Sequence, residues 1–129
     1  MNINLKEAYI KLIKEKFIQE LEEQVWRKEM SIAFDLSKIP EIEKIRDGWF
    51  KELDRFKEDL KRLDPSDTTK LTRTKRKELE NQISKAEDLA LQCDETITMI
   101  RDNTNKEKEK VDQLEIRIKF AEKYGIVKN

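Results

Sequence analysis

Carboxylates are the commonest groups in this sequence that could act as general acids or bases. The chain carries 28 aspartates and glutamates among its 129 residues, and many lie a few residues apart. Glu20 and Glu23 would share one helix face, and Glu52 has Glu58 nearby in the sequence. Because such pairs arise by chance at this density of acidic residues, we expect solvated charges and predict no catalytic residue.

Histidine, the commonest general base and metal ligand, is absent from the sequence, and there is one cysteine. Without histidine there is no Ser–His or Cys–His pair, no Glu-x-x-His motif of a di-iron bundle, and no imidazole metal ligand. Cys93 cannot form an internal disulfide, and we expect it to be a small buried hydrophobe. The sequence therefore predicts a protein that is not an enzyme, with no cofactor, metal or small-molecule substrate.

A segment of high local charge is the other candidate site. Seven cations and two anions lie between residues 61 and 77, which gives +5, although the whole chain is neutral. Cations in the first turns of a helix oppose its dipole, so they invite a functional interpretation. They could bind nucleic-acid phosphate or an acidic protein, or they could be an ordinary solvated face. The four that the predicted third helix would carry are Arg73, Lys75, Arg76 and Lys77.

A long apolar stripe dominates the elements that must position these groups. Thirteen positions step along the chain by alternating fours and threes, and eleven of them are apolar. This 3.5-residue repeat is typical of a helix in a coiled coil. The positions, called here the α3 stripe, are Leu79, Ile83, Ala86, Ala90, Cys93, Ile97, Ile100, Thr104, Glu107, Val111, Leu114, Ile118 and Ala121.

Three helices are predicted, over about residues 4–34, 38–63 and 70–124. Ser37 is a plausible N-cap before Pro40, and Gly125 is expected to end the last helix. Gly48, inside the second helix, would suit a close approach of another helix, or it could be there by chance. The predicted stripe of the second helix is Ile42, Ile45, Trp49, Leu53, Phe56, Leu60 and Leu63.

The continuity of the third helix is the main structural question. Residues 102–105 are poor helix formers, and Thr104 with Glu107 matches a capping box that could start a fourth helix. The heptad phase is nevertheless unchanged across this point, which favours one continuous helix. We predict an all-α fold, an elongated antiparallel three-helix coiled-coil bundle forming one domain over residues 1–129. The alternative is a four-helix up-down bundle with a turn near Asn103.

A continuous third helix would be about 80 Å long, against about 45 and 40 Å for the other two. Two shorter helices would leave its last heptads uncovered, so a second copy of the chain is the simplest cover. The first helix also has an apolar face that moves along its length, which fits either two neighbours within the chain or a partner chain. The predicted self-association surface is Val111, Leu114, Ile118 and Ala121, together with Trp26.

The predicted function is a non-enzymatic protein–protein interaction or assembly module, self-associating through coiled-coil packing, with a homodimer as the first expectation. The alternative is an accessory subunit of a nucleoprotein assembly that contacts phosphate through the basic segment. Nucleic acid is not favoured, because the net charge is zero. No apolar run is long enough for a membrane span and the N-terminus does not resemble a signal peptide, so a cytoplasmic protein without membrane contact is expected.

Overall fold

The computed structural model describes residues 4–124, and the regular structure within this range is helical throughout. Three helices follow one another: α1 is Leu5–Ser37, α2 is Ile39–Lys61 and α3 is Lys70–Tyr124. The predicted all-α helical bundle with a long C-terminal helix is therefore confirmed. Gly125, expected to end α3, lies outside the described residues.

The start of α1 is set by Asn4. Its side-chain Oδ1 accepts hydrogen bonds from the backbone N–H groups of Lys6 and Glu7, at 3.2 and 3.3 Å. These amides lie in the first turn, where no helical carbonyl is available to them. The side chain thus supplies the acceptors that the backbone lacks.

The junction between α1 and α2 differs from the prediction. Lys38 alone separates the two helices, and its own backbone is helical, with φ −76° and ψ −23°. Ser37 is the last residue of α1 and not the cap of a new helix after a polar break. Such polar residues cost only tenths of a kcal/mol in a helix. Pro40, in the first turn of α2, lacks only an N–H that would have no helical partner there.

The third helix runs through residues 102–105 without a turn. The four-helix alternative is therefore wrong. Thr104 is only 2% exposed in the middle of the helix, although threonine is a poor helix former. Burial of residues that keep the heptad spacing outweighs the low helix propensity of residues 102–105, which costs less than 1 kcal/mol per residue.

The described residues form two packing units. The α1 unit contains the chain up to Leu36 and from Asp102 on, and the α2 unit is Ser37–Arg101. Helix α3 contributes to both units, and the single domain over 1–129 stays a prediction.

In each unit one helix packs antiparallel on part of α3. In the α1 unit, Lys14 bonds the carbonyl of Glu122 and Lys28 bonds Glu107, so α1 advances as α3 retreats. In the α2 unit, ion pairs join Arg46 to Asp94 and Lys57 to Glu87 in the same antiparallel order.

The α3 stripe is the core of both units, because each of its thirteen positions is buried or half-buried. Residue Leu21 is the most buried apolar residue that α1 adds to this core. Helix α2 adds Ile39 and most of its predicted stripe, but Ile45 is exposed and the half-buried Arg46 takes its place. The heptad phase of α2 thus continues through a charged residue.

Candidate functional site

One polar and half-buried position of the α3 stripe belongs to an ion-pair cluster in the α1 unit. Glu107 Oε2 accepts a hydrogen bond from Lys28 Nζ at 3.0 Å, and its Oε1 accepts one from Lys110 at 3.1 Å. These bonds, chiefly the one from Lys28, hold the pKa of Glu107 below its ordinary value of 4.5. Thr104 lies one turn before Glu107 on the same face and is buried. The two polar residues of the stripe are therefore structural.

The residues predicted to be left without a cover lie inside the α1 unit. Val111 and Leu114 are buried, Ala121 is 0% exposed, and Ile118 is half-buried. The prediction that they form a free self-association surface is corrected, because α1 runs antiparallel along this part of α3. The last heptads of α3 are covered although α3 is the longest helix, because α1 and α2 each pack on a different part of it.

Trp26 behaves differently from those four residues, since it is 61% exposed. It lies on the face of α1 that points away from α3. Met30, one turn further on, is 54% exposed, and Tyr9, on the same face near the start of α1, is 65% exposed. We call this set the outer stripe. Its members are Leu5, Tyr9, Leu12, Trp26, Met30 and Ala33.

Two apolar stripes on opposite faces explain why the apolar face of α1 seemed to move along the sequence. Ile18, Leu21, Val25 and Ile32 face α3 and are covered, whereas the outer stripe is not. Among residues 4–124, α3 is the only helix that the α1 unit places beside α1. A different neighbour at each end of α1, one of the two alternatives drawn from the sequence, is therefore not found within this unit. The sequence does contain a signal for two stripes, because the positions within each stripe are separated alternately by three and four residues.

The basic segment is divided by the structure. Arg73, Lys75 and Lys77 are exposed, but Arg76 is half-buried and its Nη2 donates to the carbonyl oxygen of Asp64 at 3.2 Å. At about 100° per residue, Lys75 and Lys77 point some 160° apart around the helix. The four cations therefore do not form one face, and Arg76 is used to hold the loop before α3.

The loop that precedes α3 is tied by two aspartates. Asp64 accepts hydrogen bonds from the side chain and the amide of Ser66, and these lower its pKa. Asp67 accepts from the Thr69 amide at 3.0 Å and from Thr72 Oγ1 at 2.9 Å, and these lower its pKa as well. The acidic side chains of this segment thus shape the turn before α3.

An ionic cluster lies within the α2 unit at the position where Ile45 was expected. Arg46 Nη1 donates to Asp94 Oδ1 at 2.8 Å, and this bond is the main reason why the arginine pKa is raised. Glu43 and Asp47 lie 4.0 and 3.5 Å from the same guanidinium. One cation surrounded by three anions indicates a structural network.

Metal binding, thiol chemistry and membrane insertion are the other functions considered for residues 4–124. No group of three or more acidic or cysteine side chains there could hold a metal ion. Cys93 is half-buried on the α3 stripe, close to its expected role. None of the helices in this range combines the length and the apolar character that crossing a membrane requires.

The arrangement therefore offers surfaces for packing, of which the outer stripe of α1 is the largest apolar one described above. Comparisons of the chain with models of protein families, with curated proteins and with solved structures find no significant match.

Proposed function

We propose that this chain is a non-enzymatic assembly module that associates with a second copy of itself through coiled-coil packing. The observation that carries the proposal is the outer stripe of α1, in which Tyr9, Trp26 and Met30 are more than half exposed at heptad spacing. Regularly spaced apolar residues on an exposed helix face are typical of a surface that another helix covers.

The aromatic residues of the outer stripe support this proposal, because Tyr9 and Trp26 are 65% and 61% exposed. Within the α1 unit, packing on α3 covers one face of α1 and leaves these side chains in water. Association with a second copy would remove part of their surface from water, and aromatic side chains gain most from burial.

The absence of histidine and the structural use of Glu107, Arg46 and Asp64 support a role without catalysis. Glu107 and Arg46 each bond a residue of another helix, and Asp64 bonds Ser66 within the turn before α3. A cytoplasmic location is part of the proposal, since the single half-buried thiol of Cys93 suits a reducing compartment.

The mass of the protein in solution tests self-association. We expect light scattering or sedimentation equilibrium to give about 31 kDa, twice the 15.5 kDa of the chain, at high micromolar concentration. Dilution should shift the mass toward that of the monomer. A mass of 15.5 kDa at every concentration would contradict the proposal.

Phosphate binding by the basic segment is the second candidate. It is favoured by the exposure of Arg73, Lys75 and Lys77 near a helix start whose first turn has no acidic residue. Such binding should weaken steeply with salt and fall when these three residues are replaced by glutamine. If RNA or DNA fragments bind equally well to the variant, or bind without salt dependence, this candidate is excluded.

A further inference from the structure

We infer that the outer stripe of α1 is covered by the same stripe of a second copy, with the two α1 helices antiparallel about a two-fold axis at Gln19. This inference rests on the self-association proposed above and names its surface and geometry. The residues between the two apolar ends of the stripe determine this geometry.

The stripe continues through three exposed polar residues, and the threes and fours still alternate. Together the nine positions are Leu5, Tyr9, Leu12, Lys16, Gln19, Glu23, Trp26, Met30 and Ala33. Their chemistry is the same when read from either end: apolar, polar, then apolar. Only the charges differ, since the cation lies on one side of Gln19 and the anion on the other.

This order makes the stripe complementary to itself in the antiparallel direction. When two copies are centred on Gln19, each apolar end meets the other apolar end and each lysine meets a glutamate. The facing residues are Leu5 with Ala33, Tyr9 with Met30, Leu12 with Trp26, Lys16 with Glu23, and Gln19 with Gln19.

Charge selects this arrangement over the parallel one. A parallel pair would place Lys16 against Lys16 and Glu23 against Glu23, and such like-charge contacts are unfavourable. The antiparallel pair contains the Lys16–Glu23 contact twice, as two-fold symmetry requires. Gln19 on the axis can pair with its own copy, because an amide both donates and accepts hydrogen bonds.

The side chains concerned are available in the folded chain. Lys16, Gln19 and Glu23 are all exposed, and none faces α3. Glu23 is paired with Arg27 within the same helix at 2.6 Å, and both side chains are more than half exposed. An exposed carboxylate of this kind retains lone pairs for a second cation. Pairing with a copy therefore requires no change in the α1 unit.

Charge reversal tests the inference. We expect Lys16→Glu and Glu23→Lys each to weaken self-association roughly tenfold or more, because each places like charges together twice in every dimer. An equimolar mixture of the two variants should recover the dimer, and so should the double variant in one chain. Lys51→Glu, an exposed reversal on α2, is the matched control and should leave association unchanged. Circular dichroism checks that all variants remain helical.

Cysteine cross-linking tests the direction in a Cys93→Ser background. Gln19→Cys should form an intermolecular disulfide. Leu12→Cys should not, because the two introduced thiols of an antiparallel pair would be separated by fourteen residues, about 21 Å along the helix axis. Cross-linking at both positions would indicate a parallel pair and overturn the inference.

The outcomes separate this inference from the proposed function. A dimer that ignores both charge reversals overturns the pairing through Gln19 but leaves self-association standing. A monomer at every concentration overturns both. The inference is supported if each charge-reversal variant dimerises weakly by itself and the equimolar mixture of the two forms the dimer again.

Discussion

Lys28 Nζ lies 3.0 Å from Glu107 Oε2, and this bond joins α1 to α3 within the α1 unit. Glu107 occupies a position of the α3 stripe that would otherwise carry an apolar residue. The two side chains are 33% and 36% exposed, so a shift of α1 by one turn would break the pair and return both charges to water. We infer that this bond contributes to the register of the two helices.

The same pair predicts a dependence of stability on pH. The pKa of Glu107 is lower in the folded protein than its ordinary value of 4.5, so its ionised form favours folding. This contribution is present above that ordinary value and is lost as the pH falls through the folded pKa. Urea unfolding should show wild type more stable than Glu107→Gln at neutral pH, with the difference shrinking in acid. Glu109→Gln, at an exposed site, serves as the control; an equal effect there would contradict the prediction.

Leu21 is only 2% exposed, so we expect it to contribute more to the free energy of unfolding than any other apolar residue of α1. Replacing it with alanine should destabilise the protein by about 2–5 kcal/mol, through lost burial and the cavity left behind. Leu71→Ala is the matched control, because that leucine is 80% exposed. Denaturant unfolding of both variants gives the comparison, and a similar loss in the two would show that Leu21 is not in the core.

Ala121 marks a close approach of the helices in the α1 unit, because it is fully buried although it is small. Leucine at this position would have to displace its neighbours, so we expect Ala121→Leu to destabilise the fold by about 1–3 kcal/mol. Ala8→Leu, an exposed site on α1, should have little effect. If thermal unfolding showed Ala121→Leu to be more stable than wild type, the helices could not be as close as the structure places them.

Gly48 has no neighbour that requires a glycine. A methyl group added there would meet no atom within 4 Å, so the close helix approach considered from the sequence is wrong. Alanine lowers the conformational entropy of the unfolded chain and suits a helix better than glycine does. We expect Gly48→Ala to stabilise the protein by about 0.4–1 kcal/mol, as measured by thermal or urea unfolding. Destabilisation would reveal a contact at this position.

The prediction of the fold succeeded where periodicity was long and failed where the outcome depended on a neighbour. The continuity of α3 through Thr104 followed from the unchanged heptad phase, and the predicted limits of this helix are those observed. The junction at Ser37 was wrong, because single capping residues say little when packing continues on both sides. Ile45 was predicted to face α3, but Arg46 does so in the structure. Adjacent positions on a helix differ by only about 100°, and hydrophobicity alone favoured the isoleucine.

The candidate surface shows the same division more clearly. Trp26 was selected from the sequence and is exposed, whereas Val111, Leu114 and Ala121 were selected with it and are covered. An apolar residue at heptad spacing looks the same in a sequence whether it faces its own chain or another.

The sequence by itself determined that this protein is helical, which helix is longest, and which positions of that helix are apolar, because these properties depend on spacing within one segment. Only the tertiary structure decided that α1 covers the second half of α3 and that α1 has an outer face. Pairing between distant segments depends on complementary shape and charge across a helix interface, as in the bond from Lys28 to Glu107, and the spacing within a single helix does not contain that information.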